Sequence, residues 1–266
     1  VTEVGTSPYV YALNQPTQAV DPDGNLVIFV NGNHYGDDGR GYWQTTAYRQ
    51  VGERLFQGAT GPVFIPVYGK RPVSFDGMVM DQLNDHKPQY YDGSMGGYHP
   101  LAEGKRFSSL ARGRESFGYG FGKRDAKSII ESLARDKNGN IIETIKIITH
   151  SMGGAFGKGL VKALKEYIKE NHLERQVKIT LVADFDPYQA GDLTADADIK
   201  TMQFIHKNNW NISGMGWLAN EREKGDVETP QSKSPSSDHT IFSFFADISQ
   251  LAEGTYKWNG SNWVKQ

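Results

Sequence analysis

Ser151 is the residue on which a nucleophilic mechanism can be built. An apolar, β-branched run (Ile145, Ile147, Ile148) leads into it, and Gly153-Gly154 and a helix-periodic segment from Ala155 to Glu170 follow. A serine on a sharp turn between strand and helix sits in strained backbone geometry that exposes its hydroxyl. The glycine two places on lets strand and helix come close together. The backbone N–H of the next residue, Met152, then points where an oxyanion would form. Thr149 stands where a first glycine would complete Gly-x-Ser-x-Gly.

A serine hydroxyl is a weak nucleophile until a base takes its proton, and the base needs an acid to fix its tautomer. Three histidines lie downstream: His172, His206 and His239. His172 falls at the polar end of the helical segment and reads as a solvated C-terminal residue. His206 ends an apolar run, Thr201 to Ile205, and reads as a core or rim histidine. His239 follows a Ser/Pro-rich stretch and precedes an apolar segment, which makes it the expected base. For the acid, Asp184 and Asp186 close the run Val177 to Ala183, and alternation along a strand places them on one face. Pro187 marks the strand break, and Asp186 is the nearer to it. Asp186 is therefore favoured, with Asp184 as the alternative. A second oxyanion donor is expected from the residues after the apolar run Leu26 to Val30, with Asn33 chosen beside Gly32 and His34. Each such donor contributes about 3–4 kcal/mol to a transition state.

Elements must position these groups. Leu26 to Val30 is a continuous apolar run suited to a buried parallel strand. Thr45 to Phe56 reads as a helix, and Val63 to Tyr68 as a strand in which Pro66 implies an edge or an early end. Residues 70 to 120 read as irregular and long enough to form a lid. Arg124 to Arg135 reads as a helix. Asp136, Asn138 and Asn140 imitate the start of a calcium loop, but Ile141 and Ile147 occupy its required glycine and glutamate positions, so the stretch reads as a turn. Residues 207 to 238 read as a second loop and lid candidate. Thr240 to Leu251 reads as a closing helix, and Tyr256 to Val264, with Asn259-Gly260, as a terminal hairpin. Strands alternating with helices imply a mainly parallel sheet covered on both faces, with the site at the strands' carboxyl ends.

The 266 residues suffice for one large domain. A net charge of −2 argues against nucleic acid as a partner. With no cysteine, disulfides and cysteine-bound metals are excluded. Serine chemistry of this kind needs no cofactor or metal, and none is expected. No apolar run reaches transmembrane length. Val1 does not begin a signal peptide, and the chain reads as a piece of something longer.

With these residues in hand, residues 26 to 250 resemble serine lipases and esterases of the α/β-hydrolase superfamily. Thr149-His150-Ser151-Met152-Gly153-Gly154 is similar to the lipase nucleophile elbow, and Phe185-Asp186-Pro187-Tyr188 to the Leu-Asp-Pro segment that holds the acid in the pancreatic lipase group. Asn31-Gly32 stands where many lipases have His-Gly. The resemblance implies the chain order Ser, acid, His. It also implies an α/β-hydrolase fold with lid insertions and a lipid or small ester as substrate. Residues 1 to 25 carry a second resemblance. Ser7-Pro8-Tyr9-Val10-Tyr11-Ala12-Leu13-Asn14-Gln15-Pro16, followed by Asp21-Pro22-Asp23-Gly24, is similar to the end of the RHS-repeat-associated core. It implies a variable C-terminal module, often a toxin, joined to the rest of an RHS polypeptide and exported or delivered to another cell. Residues 26 to 266 would then be the hydrolase domain, with 251 to 266 as a hairpin extension. Two rival readings remain at this point: an amidase, peptidase or acyltransferase on the same triad, and an inactive hydrolase fold serving as a binding or structural module.

Overall fold

The structure of the protein, a computed structural model, describes residues 26–34, 39–58, 61–94, 110–206, 216–220, 227–229, 239–254, 256–259 and 263–265. The segment expected to belong to an RHS core, residues 1 to 25, lies outside them.

The chain opens on strand β1 (Leu26–Asn31), buried throughout. A short 3-10 turn (Gly39–Trp43) leads into an antiparallel ribbon of β2 (Gln44–Gly58) and β3 (Gly61–Ser74). Helix α1 (Phe75–Leu83) and strand β4 (Lys87–Asp92) follow. Helix α2 (Ala111–Glu131) precedes β5 (Ile145–His150) and α3 (Gly153–Glu170). Then come β6 (Ile179–Phe185), β7 (Thr201–His206) and β8 (Val227–Thr229). The final pair, β9 (Tyr256–Trp258) and β10 (Trp263–Lys265), is the expected terminal hairpin.

Six strands form the central sheet in the order β4-β1-β5-β6-β7-β8, and every pairing is parallel. The architecture is α/β. Alternation within the strands divides the core. Leu26, Ile28, Val30, Ile145, Ile147 and Val182 face one way, against Ile129, Phe156 and Leu160 of α2 and α3. Val27, Phe29, Ile148, Leu181 and Ala183 face the other, against Phe75 and Val79 of α1 and against Ile241, Phe244 and Ile248. Both faces of the sheet are thereby covered, as continuous apolar strands require. After β1 the chain adds β4 on one side and β5 on the other. The crevice above the carboxyl ends of β1 and β5 is thus a topological switch point, where ligands bind in open α/β sheets. No helix of the described residues is long and apolar enough to cross a membrane.

Three expectations are corrected. Thr45 to Phe56 is not a helix: it lies in β2, because its residues pair one by one with β3 from Gln44↔Ser74 to Gly58↔Gly61, with a bulge between Gln50 and Gly52. Residues 70 to 120 are not one irregular stretch, since they hold the end of β3, all of α1 and β4, and the start of α2. β4 escapes sequence reading because it is a half-buried edge strand containing Pro88, a residue tolerated only at edges. Thr240 to Leu251 is not a single helix but two 3-10 turns, Ile241–Phe244 and Ile248–Gln250. The apolar spacing there (Ile241, Phe244, Ile248, Leu251) fits an α-helix too, but the backbone bonds reach only three residues back, Ser243 to Thr240, Asp247 to Phe244, Gln250 to Asp247 and Leu251 to Ile248. The calcium-loop imitation is a turn: Asp136 accepts from the Asn138 and Asn140 amides and from the Asn140 side chain.

Candidate active site

The turn between β5 and α3 holds Ser151 at φ 56°, a left-handed conformation unfavourable for any residue with a Cβ. Its neighbours over-determine it. The Ser151 N–H donates to Phe185 O at 3.0 Å, and its carbonyl accepts from Gly154 at 3.2 Å and Tyr188 at 3.0 Å. The turn also presses against β1. A Cβ at Gly153 would lie 2.2 Å from Val30 O, and one at Gly32 would lie 2.5 Å from Ser151 Cβ. Only glycine allows either contact.

The Ser151 hydroxyl lies 2.8 Å from His239 Nε2. His239 Nδ1 lies 3.4 Å from Asp186 Oδ2. A hydroxyl that donates to Nε2 requires the proton on Nδ1, and that proton points to a carboxylate, so the tautomers are consistent along the chain of contacts. The second step is long for a hydrogen bond, as such contacts often are before substrate binds. His239 arrives from the far C-terminal side, anchored by buried Ile241 and Phe244.

Asp186 follows β6 with φ 41°, and this left-handed step separates it from Asp184. The expectation that both carboxylates share a face fails here, because alternation stops where the backbone leaves the strand region. Asp184 stays within β6 and binds Thr149 Oγ1 at 2.6 Å and Lys158 Nζ at 2.5 Å, a buried ion pair with α3. Asp186 turns instead toward the histidines. Its Oδ1 accepts from the His206 amide at 2.9 Å, and its Oδ2 lies 2.6 Å from His206 Nδ1. Burial alone would raise the Asp186 pKa. The hydrogen bonds from His206 and His239 outweigh it and bring the carboxyl down to about 2.

Thr149, the odd residue of the motif, is explained by the same contacts. Its hydroxyl serves Asp184, and its methyl lies 2.7 Å from where a Cβ at Gly157 would stand. The glycine missing before the serine is matched by a glycine on the facing turn of α3.

Met152 caps α3, and no hydrogen bond to its amide occurs among the described residues. Gly32 borders Ser151 on the other side, and Asn33, next along the chain, is half-buried. A polar clip fixes that segment. Asn31 Nδ2 donates to Gly32 O at 2.8 Å and Asp92 Oδ1 at 3.1 Å, while His34 Nε2 lies 3.1 Å from Asp92 Oδ2. Ser94 donates to Asp92 through both its amide and its hydroxyl. Burial raises the Asp92 pKa, but the Ser94 and His34 hydrogen bonds more than offset it, leaving the carboxyl below its usual range.

Three further residues complete the site and were not singled out for it from sequence. His206 is the closer of the two histidines to Asp186. The Tyr42 hydroxyl meets His150 Nδ1, and the His150 ring lies 4.9 Å from the His239 ring. Burial, then the neighbouring His239, pushes the His150 pKa well down, so this ring is neutral. The signal for His206 lies in the strand alignment: Phe185 is level with Phe204, and the Asp186 amide donates to Phe204 O at 2.8 Å.

Comparison with family models, with curated proteins and with solved structures gives no match to this chain.

Proposed function

We propose that the protein is a serine ester hydrolase built on an α/β-hydrolase type of fold. The observation that carries this reading is the continuous path Ser151 Oγ, His239 Nε2, His239 Nδ1, Asp186 Oδ2. A left-handed serine and a parallel-sheet switch point support it.

In this reading Ser151 Oγ attacks the ester carbonyl carbon while His239 Nε2 takes its proton. Asp186 stabilises the imidazolium. The oxyanion accepts hydrogen bonds from the Met152 amide and from the Asn33 segment. His239 then returns the proton to the leaving alkoxide, leaving an acyl-Ser151. Water, deprotonated by His239, attacks that acyl carbon; Ser151 Oγ leaves with the proton that His239 returns, and the acid is freed. No cofactor enters the sequence of steps.

The substrate class proposed is an acyl ester of a lipid or phospholipid, from the resemblance of the elbow and of Asp186-Pro187 to lipases. The setting proposed is an exported C-terminal module of an RHS polypeptide, from the wording of residues 1 to 25.

The test is labelling with a fluorophosphonate probe. Wild-type protein labels, and Ser151→Ala does not. The same variant loses about a million-fold in ester turnover. Labelling that survives Ser151→Ala removes the proposal.

A further inference from the structure

Five of the exposed large apolar side chains among the described residues sit together on one projection, the β2–β3 ribbon. They are Leu55, Phe64, Ile65, Val67 and Tyr68, with Phe64 65% and Tyr68 60% exposed. Solitary exposed apolar residues are ordinary on a protein surface, but a concentration of them is not.

Their placement is informative. Leu55 pairs with Phe64, and side chains alternate along each strand. Leu55, Phe64 and Tyr68 therefore share one face of the ribbon, and Ile65 and Val67 the other. A protein groove covers one face of a hairpin, whereas an apolar medium surrounds both.

Strand addition at the edge of β3 is also disfavoured. β3 carries Pro62, Pro66 and Pro72, each lacking an N–H. Proline within a paired strand is tolerated where the missing donor faces outward, so the free edge of β3 is short of donors for a further strand.

Charge favours one medium. The chain as a whole carries −2. The ribbon carries Arg49, Arg54, Lys70 and Arg71 against Glu53 alone. Lys70 and Arg71 are exposed and lie two and three residues rootward of Tyr68. At about 3.4 Å per residue that places them roughly 7–10 Å behind the aromatic ring. This matches an apolar element buried about 5–10 Å into a bilayer interface with cations at the headgroups.

The root of the ribbon lies beside the site. Gln44 pairs with Ser74 at the base, and the preceding Trp43 is buried with its ring 5.1 Å from Phe29 and 5.9 Å from Phe75. Tyr42, one residue earlier, holds His150.

We infer that the β2–β3 ribbon is a docking arm that inserts Leu55, Phe64, Ile65, Val67 and Tyr68 into the interface of an anionic lipid bilayer. Its use in presenting acyl esters to Ser151 rests on the ester hydrolase reading, whereas docking itself does not.

The experiment uses the full chain with Ser151→Ala, so that vesicles stay intact. Co-sedimentation is measured with phosphatidylcholine vesicles containing about 30% phosphatidylserine, and with phosphatidylcholine alone. The protein is expected to bind the anionic vesicles at least tenfold more tightly, and less tightly as salt rises. Adding Phe64→Ser, Ile65→Ser and Val67→Ser is expected to weaken binding at least tenfold. Lys70→Glu with Arg71→Glu is expected to abolish the anionic preference. On the Ser151 background, both ribbon variants should still hydrolyse a soluble short-chain ester within twofold of wild type. Failure to bind anionic vesicles, binding indifferent to the ribbon variants, or concentration-dependent self-association lost in those variants each overturns the inference. Vesicle binding with no turnover of soluble esters by wild type would instead overturn the hydrolase reading and leave docking standing.

Discussion

His206 Nδ1 lies 2.6 Å from Asp186 Oδ2, the same oxygen that His239 approaches to 3.4 Å. The carboxylate is therefore divided between two imidazoles, and the nearer one does not touch Ser151. A donor on His206 drains charge from Asp186 and limits how far Asp186 can stabilise a protonated His239. Replacing His206 by Phe should leave Asp186 Oδ2 to His239 alone and raise the Asp186 carboxyl from about 2 toward its ordinary range. The stability lost on acidification from pH 3.8 through 2, read by urea unfolding, should then shrink. Asn at this position, which keeps a donor, should leave that loss near its wild-type size. An unchanged loss in the Phe variant would assign His206 to packing against Phe244 alone.

Thr149 offers a test of motif against context. Restoring the customary glycine should not improve this protein, because the hydroxyl satisfies a buried carboxylate. Thr149→Val keeps the volume and removes the donor, and should cost about 1.5–3 kcal/mol in urea unfolding, the range for hydrogen bonds to charged groups. Thr149→Gly should cost more, since the methyl packed at Gly157 is lost too. In both variants the surviving folded protein should still label at Ser151.

Gly32 tests the fit of the segment after β1 against Ser151. Gly32→Ala would place a Cβ 2.5 Å from Ser151 Cβ, so one of the two must shift by several tenths of an ångström or more. Displacements approaching 1 Å cost about 100-fold in catalysis. The rate of fluorophosphonate labelling should fall by about that factor, while circular dichroism stays unchanged.

The two ends of the sheet respond to pH with opposite sign. Asp186 has a folded pKa of about 2, below the ordinary 3.8. Its contribution is fully present above pH 3.8, is lost as pH falls from there through 2, and amounts to about 2 kcal/mol. At the amino end of the strands, Asp85 is pushed up to about 7 by burial, with buried Lys146 3.5 Å away opposing the shift. The folded state there binds a proton that the unfolded chain has released, so stability falls as pH rises from about 4 through 7. Asp85→Asn should remove that slope. Urea midpoints at pH 5 and pH 8 should differ less in the variant than in wild type, once the common trend of other groups is matched. An equal difference in both proteins would contradict the assignment.

The strand, turn and helix around Ser151 were legible because their signals are local: an apolar run, a serine, two glycines and a helical period within a few turns of chain. Asp186 was legible through the proline that follows it. His206 was not, because its role comes from strand register: only β6 lying beside β7 brings it under Asp186. The division of labour between Asp184 and Asp186 was also hidden, since it turns on one left-handed φ. The strand over Thr45 to Phe56 was hidden because its apolar spacing fits a helix as well. The arbiter is β3, which pairs with it along its length but for the bulge between Gln50 and Gly52.

The reach from Ser151 to His239 has a consequence for how the protein comes into being. During synthesis Ser151 and then Asp186 emerge before His239, each just past the end of a strand, β5 or β6. His239 comes 88 residues after Ser151, on a segment held by Ile241, Phe244 and Ile248 rather than by the sheet. On the ester hydrolase reading proposed above, a ribosome-bound chain halted before residue 239 carries Ser151 without its base. The site is then armed only when the segment from His239 to Ile248 has packed onto the sheet.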